Sequence, residues 1–473
     1  GVPWDLDGTT GGVHILPPYM GSKGQNAALK TFLKDEYNDA KSDLFSAFIL
    51  RNLELTREHG QLGFMSPFVW MFISSYEKLR QFIIAEKCIT SLVQLEYSGF
   101  DGATVPICTY TFENSKLPRY KGSYIRLSDF RGAENQGPKT LEAIQNPACG
   151  CFFTATAEDF KKIPGNPVAY WIKSTNLFLD NTLRKSFISG GRNKTHNNDK
   201  YIHFFWEINK NSNHWIIYNN GGDFRKYAGN EYQVVDWSDN ARNEYSLHGG
   251  LCNRKFWNKE GITWSLITSA KNSFRIKTWY SQYSSGSPTI FNSNFVCEKK
   301  VLALLNSPVS HYFLKAINPT LNTTVNDVLS LPFQENIISN KVIYDAERCI
   351  IISKSDWDAY ETSWDFQCLP LLLPEHRSRN LKEAYASVRT QWQVMTDEMQ
   401  QLEEENNRVF IEAYGLQDEL TPDVPLKEIT LTCNPFYRYG MDAEQADDAT
   451  GDALEERLRA DSVKELLSYA IGC

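Results

Sequence analysis

The chain has 473 residues and a formal net charge of -8 at pH 7, and 42% of its residues are hydrophobic and 22% are charged. This length allows two or three domains with buried cores, while the acidic balance argues against a protein that binds nucleic acid over its whole surface. The sequence has no signal-peptide pattern and no apolar run long enough to cross a membrane, so we expect a cytoplasmic protein without a membrane partner.

The first informative stretch lies close to the start of the numbering. Residues 1–12 end in Gly8-Thr9-Thr10-Gly11-Gly12 and are predicted to be a linker-like end. After Val13-His14-Ile15 comes Leu16-Pro17-Pro18-Tyr19, followed by a glycine-containing loop up to Gly24. With Asn in place of Leu16, the tetrapeptide would resemble the Asn-Pro-Pro-Tyr catalytic loop of DNA methyltransferases that act on exocyclic amino groups.

The chemistry of that loop explains its composition. The lone pair of an adenine amine is delocalised into the ring, so the enzyme extrudes the base and holds the amine with hydrogen-bond acceptors. Prolines fix the backbone φ and hold those acceptors in place. Pro17, Pro18 and Tyr19 retain the rigidity and the stacking ring, whereas Leu16 cannot accept a hydrogen bond. Taken alone, the stretch is also compatible with an ordinary loop or a polyproline-type ligand.

The following 100 residues predict an alternation of helices and strands. Helices are predicted at residues 41–49 and 74–85, and strands at residues 61–65, 89–95 and 105–112. This alternation predicts a mostly parallel, doubly wound sheet. The overall prediction is an α/β fold with the C-terminal part of a Rossmann-like sheet, then a mixed α+β domain and a long helical spacer.

Several longer phrases resemble the PglX family, the adenine-specific DNA methyltransferases of type 1 BREX phage-defence systems. Each phrase is weak alone, but their number and order from about residue 15 onward make the resemblance specific. The phrases are Pro17 to Gly24, Trp70 to Arg80, Lys161 to Trp171, Gly221 to Lys226, Glu260 to Ser265, Asn318 to Asn322 and Tyr414 to Pro422.

The resemblance implies S-adenosyl-L-methionine as cofactor and double-stranded DNA as partner. It implies a catalytic role for residues 16–19 and, for Asp43 and Phe48, a place beside the cofactor. The family's glycine-rich cofactor motif is expected upstream of the catalytic loop. Asn146-Pro147-Ala148-Cys149-Gly150-Cys151 superficially looks like it, but lies downstream and lacks the second glycine. We therefore expect a piece of a larger protein, cut at both ends, that binds the cofactor poorly or not at all.

The charge is distributed unevenly along the chain. Residues 161–235 contain 11 Lys or Arg against 5 Asp or Glu, whereas residues 442–461 contain 8 acids against 2 arginines. A basic face is sufficient for phosphate contacts, so we predict DNA binding in the basic region. Basic side chains beside Gly and Asn suit phosphate and base-edge contacts, although a solvated loop is the alternative. The predicted contacts are Arg192, Lys194, Asn198, Lys200, Arg225 and Lys226.

A helical spacer is predicted near the end. Apolar residues recur at alternating spacings of four and three from Leu381 to Ala413, with Asn406 at the one polar position. The seam could be covered by a second copy of the chain or by the amphipathic helix at residues 454–470, and we favour the second, monomeric arrangement. The predicted domains are 1–12, 13–160 (catalytic), 161–335 (target recognition) and 336–473 (spacer).

Two functions follow from the sequence. One is a site-specific DNA adenine N6-methyltransferase of a defence system, of which this chain alone is inactive. The other is a non-catalytic DNA-binding or scaffold component that acts with other defence-system proteins. The ten cysteines form no C-x-x-C pair, and no His lies near them at zinc spacing, which favours reduced thiols and no metal site.

Overall fold

A computed structural model describes residues 12–97, 105–209, 212–268, 271–294, 296–440 and 451–472. The linker predicted at residues 1–12, apart from Gly12, and the first half of the acidic stretch lie outside these residues. Contacts group the chain into two compact units, residues 1–180 with 315–320, and residues 181–314 with 321–473. The predicted boundaries at residues 160 and 335 stay predictions.

The first unit is built on one six-stranded sheet. Its strands are β1 (Gly12–Ile15), β2 (Gln61–Pro67), β3 (Cys88–Gln94), β4 (Ile107–Glu113), β5 (Gly122–Arg126) and β6 (Phe152–Ala155). Its helices are α1 (Ala27–Glu36), α2 (Leu44–Leu55), α3 (Glu77–Glu86), α4 (Ala133–Gln145), α5 (Ala157–Lys161) and α6 (Leu177–Asp180). The helices and strands predicted up to residue 113 are therefore present, with their ends shifted by a few residues.

The sheet order is β1-β2-β4-β3-β5-β6. The pairs β1–β2 and β3–β5 are parallel, whereas β2–β4, β3–β4 and β5–β6 are antiparallel. Four of the six described strands run in one direction, but the sheet is mixed, which corrects the prediction of a mostly parallel sheet. The reason is that β4 returns between β2 and β3 and pairs antiparallel with both.

Aromatic packing on β2 and β4 explains why this sheet is stable. Phe64 stacks on Tyr110 at 5.5 Å between ring centroids, and Trp70 lies 5.1 Å from Tyr110 and 5.8 Å from Phe112. All four side chains are buried, and burying an aromatic ring of this kind contributes about 1.5–3 kcal/mol or more. This core therefore holds the ends of β2 and β4 in place, and with them the start of the loops that follow these strands.

The second unit contains two four-stranded sheets, with the orders β13-β9-β10-β8 and β12-β11-β14-β7. Their strands are β7 (Phe187–Ser189), β8 (Ile202–Phe204), β9 (Trp215–Asn219), β10 (Gln233–Asp236), β11 (Gly261–Trp264), β12 (Phe274–Lys277), β13 (Gln282–Tyr283) and β14 (Thr289–Asn292). A helix of one turn, α7 (Asn198–Tyr201), leads into β8, and α8 (Asp239–Leu247) packs on the first of these sheets through Ala241 and Tyr245.

Helices dominate the rest of the chain. They are α9 (Glu298–Asn306), α10 (Pro308–Ile317), α11 (Val325–Leu329), α12 (Lys341–Asp358), α13 (Leu381–Tyr414), α14 (Pro435–Gly440) and α15 (Gly451–Gly472). No helix among the described residues has an apolar stretch sufficient to span a bilayer.

The predicted long helix is present as α13, but its packing differs from the prediction. Its buried side chains include Val388, Trp392, Met399, Phe410 and Tyr414, so the buried stripe lies one residue later than the predicted heptad towards the C-terminal end. The stripe packs mainly on α12 and also on α9, rather than on the helix at residues 454–470. That helix reaches α13 through an ion pair between Arg389 and Glu455. Asn406 is buried within the chain.

Candidate functional site

The loop after β1 lies at the carboxyl edge of the first sheet. Strands β1 and β2 are parallel neighbours, with Ile15 opposite Phe64, so the loops that follow them start at the same edge. The Leu16 side chain is 71% exposed, and Tyr19 is 40% exposed. The hydroxyl of Tyr19 donates to the carbonyl of Met65 on β2 at 3.1 Å. The aromatic residue of the predicted catalytic loop is therefore tied to the edge of the sheet. Open α/β sheets place their ligands at this edge.

Asp43 anchors this loop from the start of α2. One oxygen, Oδ1, accepts the backbone N–H of Met20 at 2.9 Å and that of Phe45 at 3.3 Å, so Asp43 is both helix cap and loop anchor. The backbone N–H of Leu44 donates to the carbonyl of Met20 at 3.1 Å. Asp43 was predicted to lie beside the cofactor. In the structure, its carboxylate binds the backbone amides of Met20 and Phe45. The predicted contact with the cofactor stays a prediction.

Phe48, the second predicted cofactor residue, is half-buried on α2, five residues after Asp43. Its neighbour on that helix, Phe45, is buried and lies 6.4 Å from the ring of Tyr19 and 5.7 Å from the ring of Tyr76. Burial raises the pKa of Tyr19, with a smaller contribution from Cys108, so this phenol stays neutral. Tyr19 is thus available as a neutral stacking ring and not as a base.

The carboxyl edge holds further aromatic side chains that the sequence analysis did not select. Phe68 follows β2 and Tyr97 follows β3, and their rings lie 6.1 Å apart at 86°. At the end of β5, the guanidinium of Arg126 lies 4.6 Å from the ring centroid of Trp171. The phrase from Lys161 to Trp171 was noted for its resemblance only. The signal that could have identified Phe68, Tyr97 and Arg126 is their position at or shortly after the end of a strand, where ligand contacts gather.

Residues 146–151 do not occupy the position of a glycine-rich cofactor loop. It connects the end of α4 to the start of β6, whereas a glycine-rich cofactor loop connects a strand to a helix. The Sγ atoms of Cys149 and Cys151 lie 3.2 Å apart, and the described cysteines are free thiols. This stretch therefore does not fit S-adenosylmethionine, in agreement with its rejection from the sequence. No group of three or more potential metal ligands occurs among the described residues.

A polar cleft of about 480 Å³ lies in the second unit, and we call it the amide cleft. It is lined by the loop at residues 193–199, by Ile202, Tyr218 and Asn220, and by Ser284 and Ser285. Two of the predicted DNA contacts line it, a half-buried Lys194 and an exposed Asn198. Arg192 and Lys200 are exposed at the two ends of the same loop. The structure therefore places these four predicted residues together.

Buried hydrogen bonds hold the loop of the amide cleft in place. The side chain of Asn193 donates to Gln282 Oε1 at 3.1 Å and accepts the N–H of Cys252 at 2.9 Å. The Lys194 N–H donates to the carbonyl of Gly250 at 2.7 Å, and a Cβ at Gly250 would lie 2.2 Å from the Lys194 carbonyl oxygen. The loop is therefore rigid, which lowers the entropic cost of binding a ligand with its side chains.

Arg225 and Lys226 are not part of this surface. Both are buried. Arg225 pairs with Asp356 at 2.8 Å, and Lys226 pairs with Glu403. Burial opposes the charge of Arg225, yet Asp356 outweighs it, so the pKa of Arg225 is raised and the guanidinium stays charged. This placement corrects the predicted DNA contacts, because both charges are neutralised inside the second unit.

Known adenine-specific methyltransferases are similar to this chain over nearly its whole length. Residues 17–100 match the model of the Eco57I restriction-modification methylase family. The chain is 30% identical over 488 residues to the adenine-specific methyltransferase BrxX of Escherichia coli O9:H4 (strain HS), covering 99% of this chain and 39% of that protein. It is 31% identical over 492 residues to the adenine-specific methyltransferase PglX of Lacticaseibacillus casei (strain Zhang), covering 97% and 38%. These matches confirm the resemblance predicted from the sequence.

Among solved structures, the chain is similar to the Type IIL restriction-modification enzyme MmeI in complex with DNA. The TM-score is 0.50 at 11% sequence identity, and the match covers 91% of this chain and 57% of that chain. At this identity the likeness concerns the fold alone. The chain spans about two fifths of the length of the curated relatives it matches.

Proposed function

Because the chain resembles the adenine-specific methyltransferases PglX and BrxX over nearly its whole length, we propose that it is part of a site-specific DNA adenine N6-methyltransferase of a phage-defence system. The observation that carries this proposal is the Pro17-Pro18-Tyr19 loop at the carboxyl edge of a sheet in the region matched to a methylase family. The proposal includes a cytoplasmic location, a monomeric chain and contacts with other defence-system proteins.

In this proposal the first unit holds the extruded adenine. Pro17 and Pro18 fix the loop, Tyr19 stacks on the base, and the exposed ring of Tyr97, which packs against the buried Phe68, supplies further aromatic surface at the same edge. A base extruded from the duplex needs such a planar apolar site to replace the stacking that it loses. Leu16 stands where the amine acceptor of the family belongs, and its exposed alkyl side chain cannot hold the amine.

S-adenosyl-L-methionine supplies the methyl group in enzymes of this kind. Residues 146–151 do not fit it, because they lie in a helix-to-strand connection, and one carboxylate oxygen of Asp43 already accepts two backbone amides. We therefore assign no step of methyl transfer to this chain. The second candidate function, a non-catalytic DNA-binding or scaffold component, is favoured by the one observation that Leu16 replaces the acceptor.

We expect the chain alone to be inactive in methyl transfer. S-adenosylmethionine should leave its melting temperature unchanged, and labelled methyl groups should not be incorporated into bacterial DNA. Leu16→Asn should not restore incorporation, because an amine acceptor without a bound methyl donor cannot act. Incorporation above background, by either the unaltered chain or this variant, would contradict the expectation and identify the chain as a complete catalyst.

We expect DNA to bind through the amide cleft in a salt-sensitive manner. Arg192→Glu together with Lys200→Glu should weaken binding of a labelled duplex at least about tenfold at low salt. The slope of log K against log salt concentration should become smaller by about 2, one unit for each lost phosphate contact. Fluorescence anisotropy at a series of salt concentrations measures both quantities.

The control for this experiment has the same change of net charge elsewhere in the second unit. Arg379 and Lys382 are exposed near the start of α13, and the double variant Arg379→Glu with Lys382→Glu should retain the salt slope. If both double variants lose affinity equally, binding follows net charge and not the amide cleft. If the unaltered chain does not bind DNA, the proposed function fails for this chain.

A further inference from the structure

Two aromatic rings are stacked on each other at the surface of the second unit. The centroids of Phe204 and Trp206 are 4.7 Å apart, and the ring planes differ by only 4°. The two side chains are nevertheless 41% and 54% exposed. Large apolar rings left in contact with water on a structured surface commonly mark a binding site. We call these two side chains the aromatic pair.

The aromatic pair is held by structure and not by a mobile loop. The backbone N–H of Phe204 donates to the carboxylate of Glu207 at 2.8 Å. Between the two exposed rings, Phe205 is buried, and its N–H donates to the carbonyl of Tyr232 at 3.1 Å. The rings are thus presented in a fixed geometry, so stacking a third planar group requires little ordering of the protein.

Contacts connect the aromatic pair to the amide cleft. Asn220, which lines the cleft, donates through Nδ2 to Gln233 Oε1 at 2.9 Å. Gln233 pairs directly with Phe204 across the sheet between β10 and β8. The amide cleft and the aromatic pair are therefore linked through Gln233. The cleft offers amide side chains that suit base edges, and the pair offers aromatic faces that suit base planes.

Charge identifies the class of ligand. Lys194 lines the cleft together with one acid, Asp199, and the exposed Arg192 and Lys200 flank its loop. Cations are therefore in excess, and a polyanion with planar apolar groups complements cations beside exposed rings. An apolar surface of a protein partner would explain the exposed rings, but it would not explain the cations and amides beside them. Beside the aromatic pair, the carboxylate of Glu207 accepts from the Phe204 backbone.

We propose that the aromatic pair stacks on an unstacked nucleobase of the DNA held in the amide cleft. This inference rests on the proposed function and deepens it, because it adds a subsite for a base that has left the helical stack. Such a site favours DNA that already contains an unpaired base, since intact duplex must first lose stacking energy at that position.

The test compares an intact duplex with the same duplex carrying one bulged base, with anisotropy as the readout. The unaltered chain should bind the bulged duplex more tightly, and Trp206→Ala should reduce that preference by roughly 5- to 150-fold, the range for loss of one base–aromatic stack. Trp206→Phe should retain most of the preference. The matched control is Trp279→Ala, since Trp279 is 59% exposed but lies at 88° to its neighbour Tyr280, and its loss should leave the preference unchanged.

The outcomes separate this inference from the proposed function. If Trp206→Ala binds both duplexes as the unaltered chain does, the aromatic pair is not a base site, although DNA binding through the amide cleft stands. If Trp206→Ala and Trp279→Ala reduce the preference equally, the effect is general and the inference is also wrong. If the unaltered chain binds neither duplex, the proposed function fails first. Melting temperatures of all variants show whether each remains folded.

Discussion

Asp356→Ala should lower the free energy of unfolding by about 3–5 kcal/mol, the usual cost of removing one partner of a buried ion pair. The carboxylate of Asp356 accepts from Arg225 at 2.8 Å, from the Thr432 N–H at 2.6 Å and from the Cys433 N–H at 2.9 Å. Removing it leaves the guanidinium buried and charged and leaves two backbone donors unsatisfied. Urea denaturation followed by circular dichroism measures the loss.

The double variant Asp356→Ala with Arg225→Met tests whether the lost charge pairing is the cause. Because the second change removes the uncompensated cation, it should recover part of the loss, and the non-additivity gives the coupling between the two side chains. The control is Glu456→Ala, which breaks the exposed pair of Glu456 with Arg459. That change should alter the free energy of unfolding by less than about 0.5 kcal/mol. A loss of similar size for Asp356→Ala would contradict the buried pair.

These ion pairs also show what charge counting along a sequence leaves out. The basic excess of residues 161–235 counts Arg225 and Lys226, but their partners lie 131 and 177 residues away. No local pattern indicates that Asp356 and Glu403 neutralise them. Arg192, Lys194, Asn198 and Lys200 lie together because they share one short loop, and this proximity was predictable from the sequence.

The same distinction between local and long-range information applies to the fold. The helices and strands up to residue 113 were predictable because apolar periodicity is local. The position of β4 between β2 and β3 was not, since strand order depends on which faces pack together. The 34-residue helix α13 follows from its spacing. Its partner α12 does not, because several amphipathic helices of the chain have a suitable apolar face.

At the carboxyl edge of the first sheet, the sequence indicated the loop but not what supports it. Pro17-Pro18-Tyr19 was predictable because the resemblance is carried by consecutive residues. The hydrogen bond from Tyr19 to Met65 and the anchoring of Met20 by Asp43 join positions 46 and 23 residues apart. Such contacts need the sheet register, which no motif contains. The role of Asp43 beside a cofactor was predicted from the family resemblance. Its capping of α2 and its contact with the loop are visible only in the structure.

Arg80 supports the loop after β2, the strand that pairs with β1 and so lies next to the start of the predicted catalytic loop. Its buried guanidinium donates through Nη1 to the carbonyls of Trp70 at 2.9 Å and Ile73 at 2.7 Å, and through Nη2 to that of Gly165 at 2.7 Å. Burial lowers its pKa to about 10, and Glu77 acts weakly in the opposite direction. The charge is therefore retained at neutral pH, and backbone carbonyls take the place of water around it.

Arg80→Met should lower the free energy of unfolding by about 3 kcal/mol, because the buried carbonyl of Trp70 and the partly buried carbonyls of Ile73 and Gly165 lose the guanidinium donor. The removed desolvation cost offsets only part of this loss. Arg80→Lys should recover little, since one ammonium cannot reproduce the planar fork that reaches all three oxygens. The control Arg51→Met removes the exposed pair with Glu54 and should leave stability close to that of the unaltered chain.

Loss of the Arg80 guanidinium should destabilise the nearby loop more than the rest of the first unit. Amide hydrogen exchange should speed up at Phe72, Ile73 and Val168, whose N–H groups bond within the segments that Arg80 joins. The Leu92 amide in the middle of β3 should change only with global stability. Uniform acceleration at all four amides would show that Arg80 stabilises the unit as a whole and does not position this loop. Selective acceleration would show that Arg80 positions this loop of the carboxyl edge through its bonds to Trp70, Ile73 and Gly165.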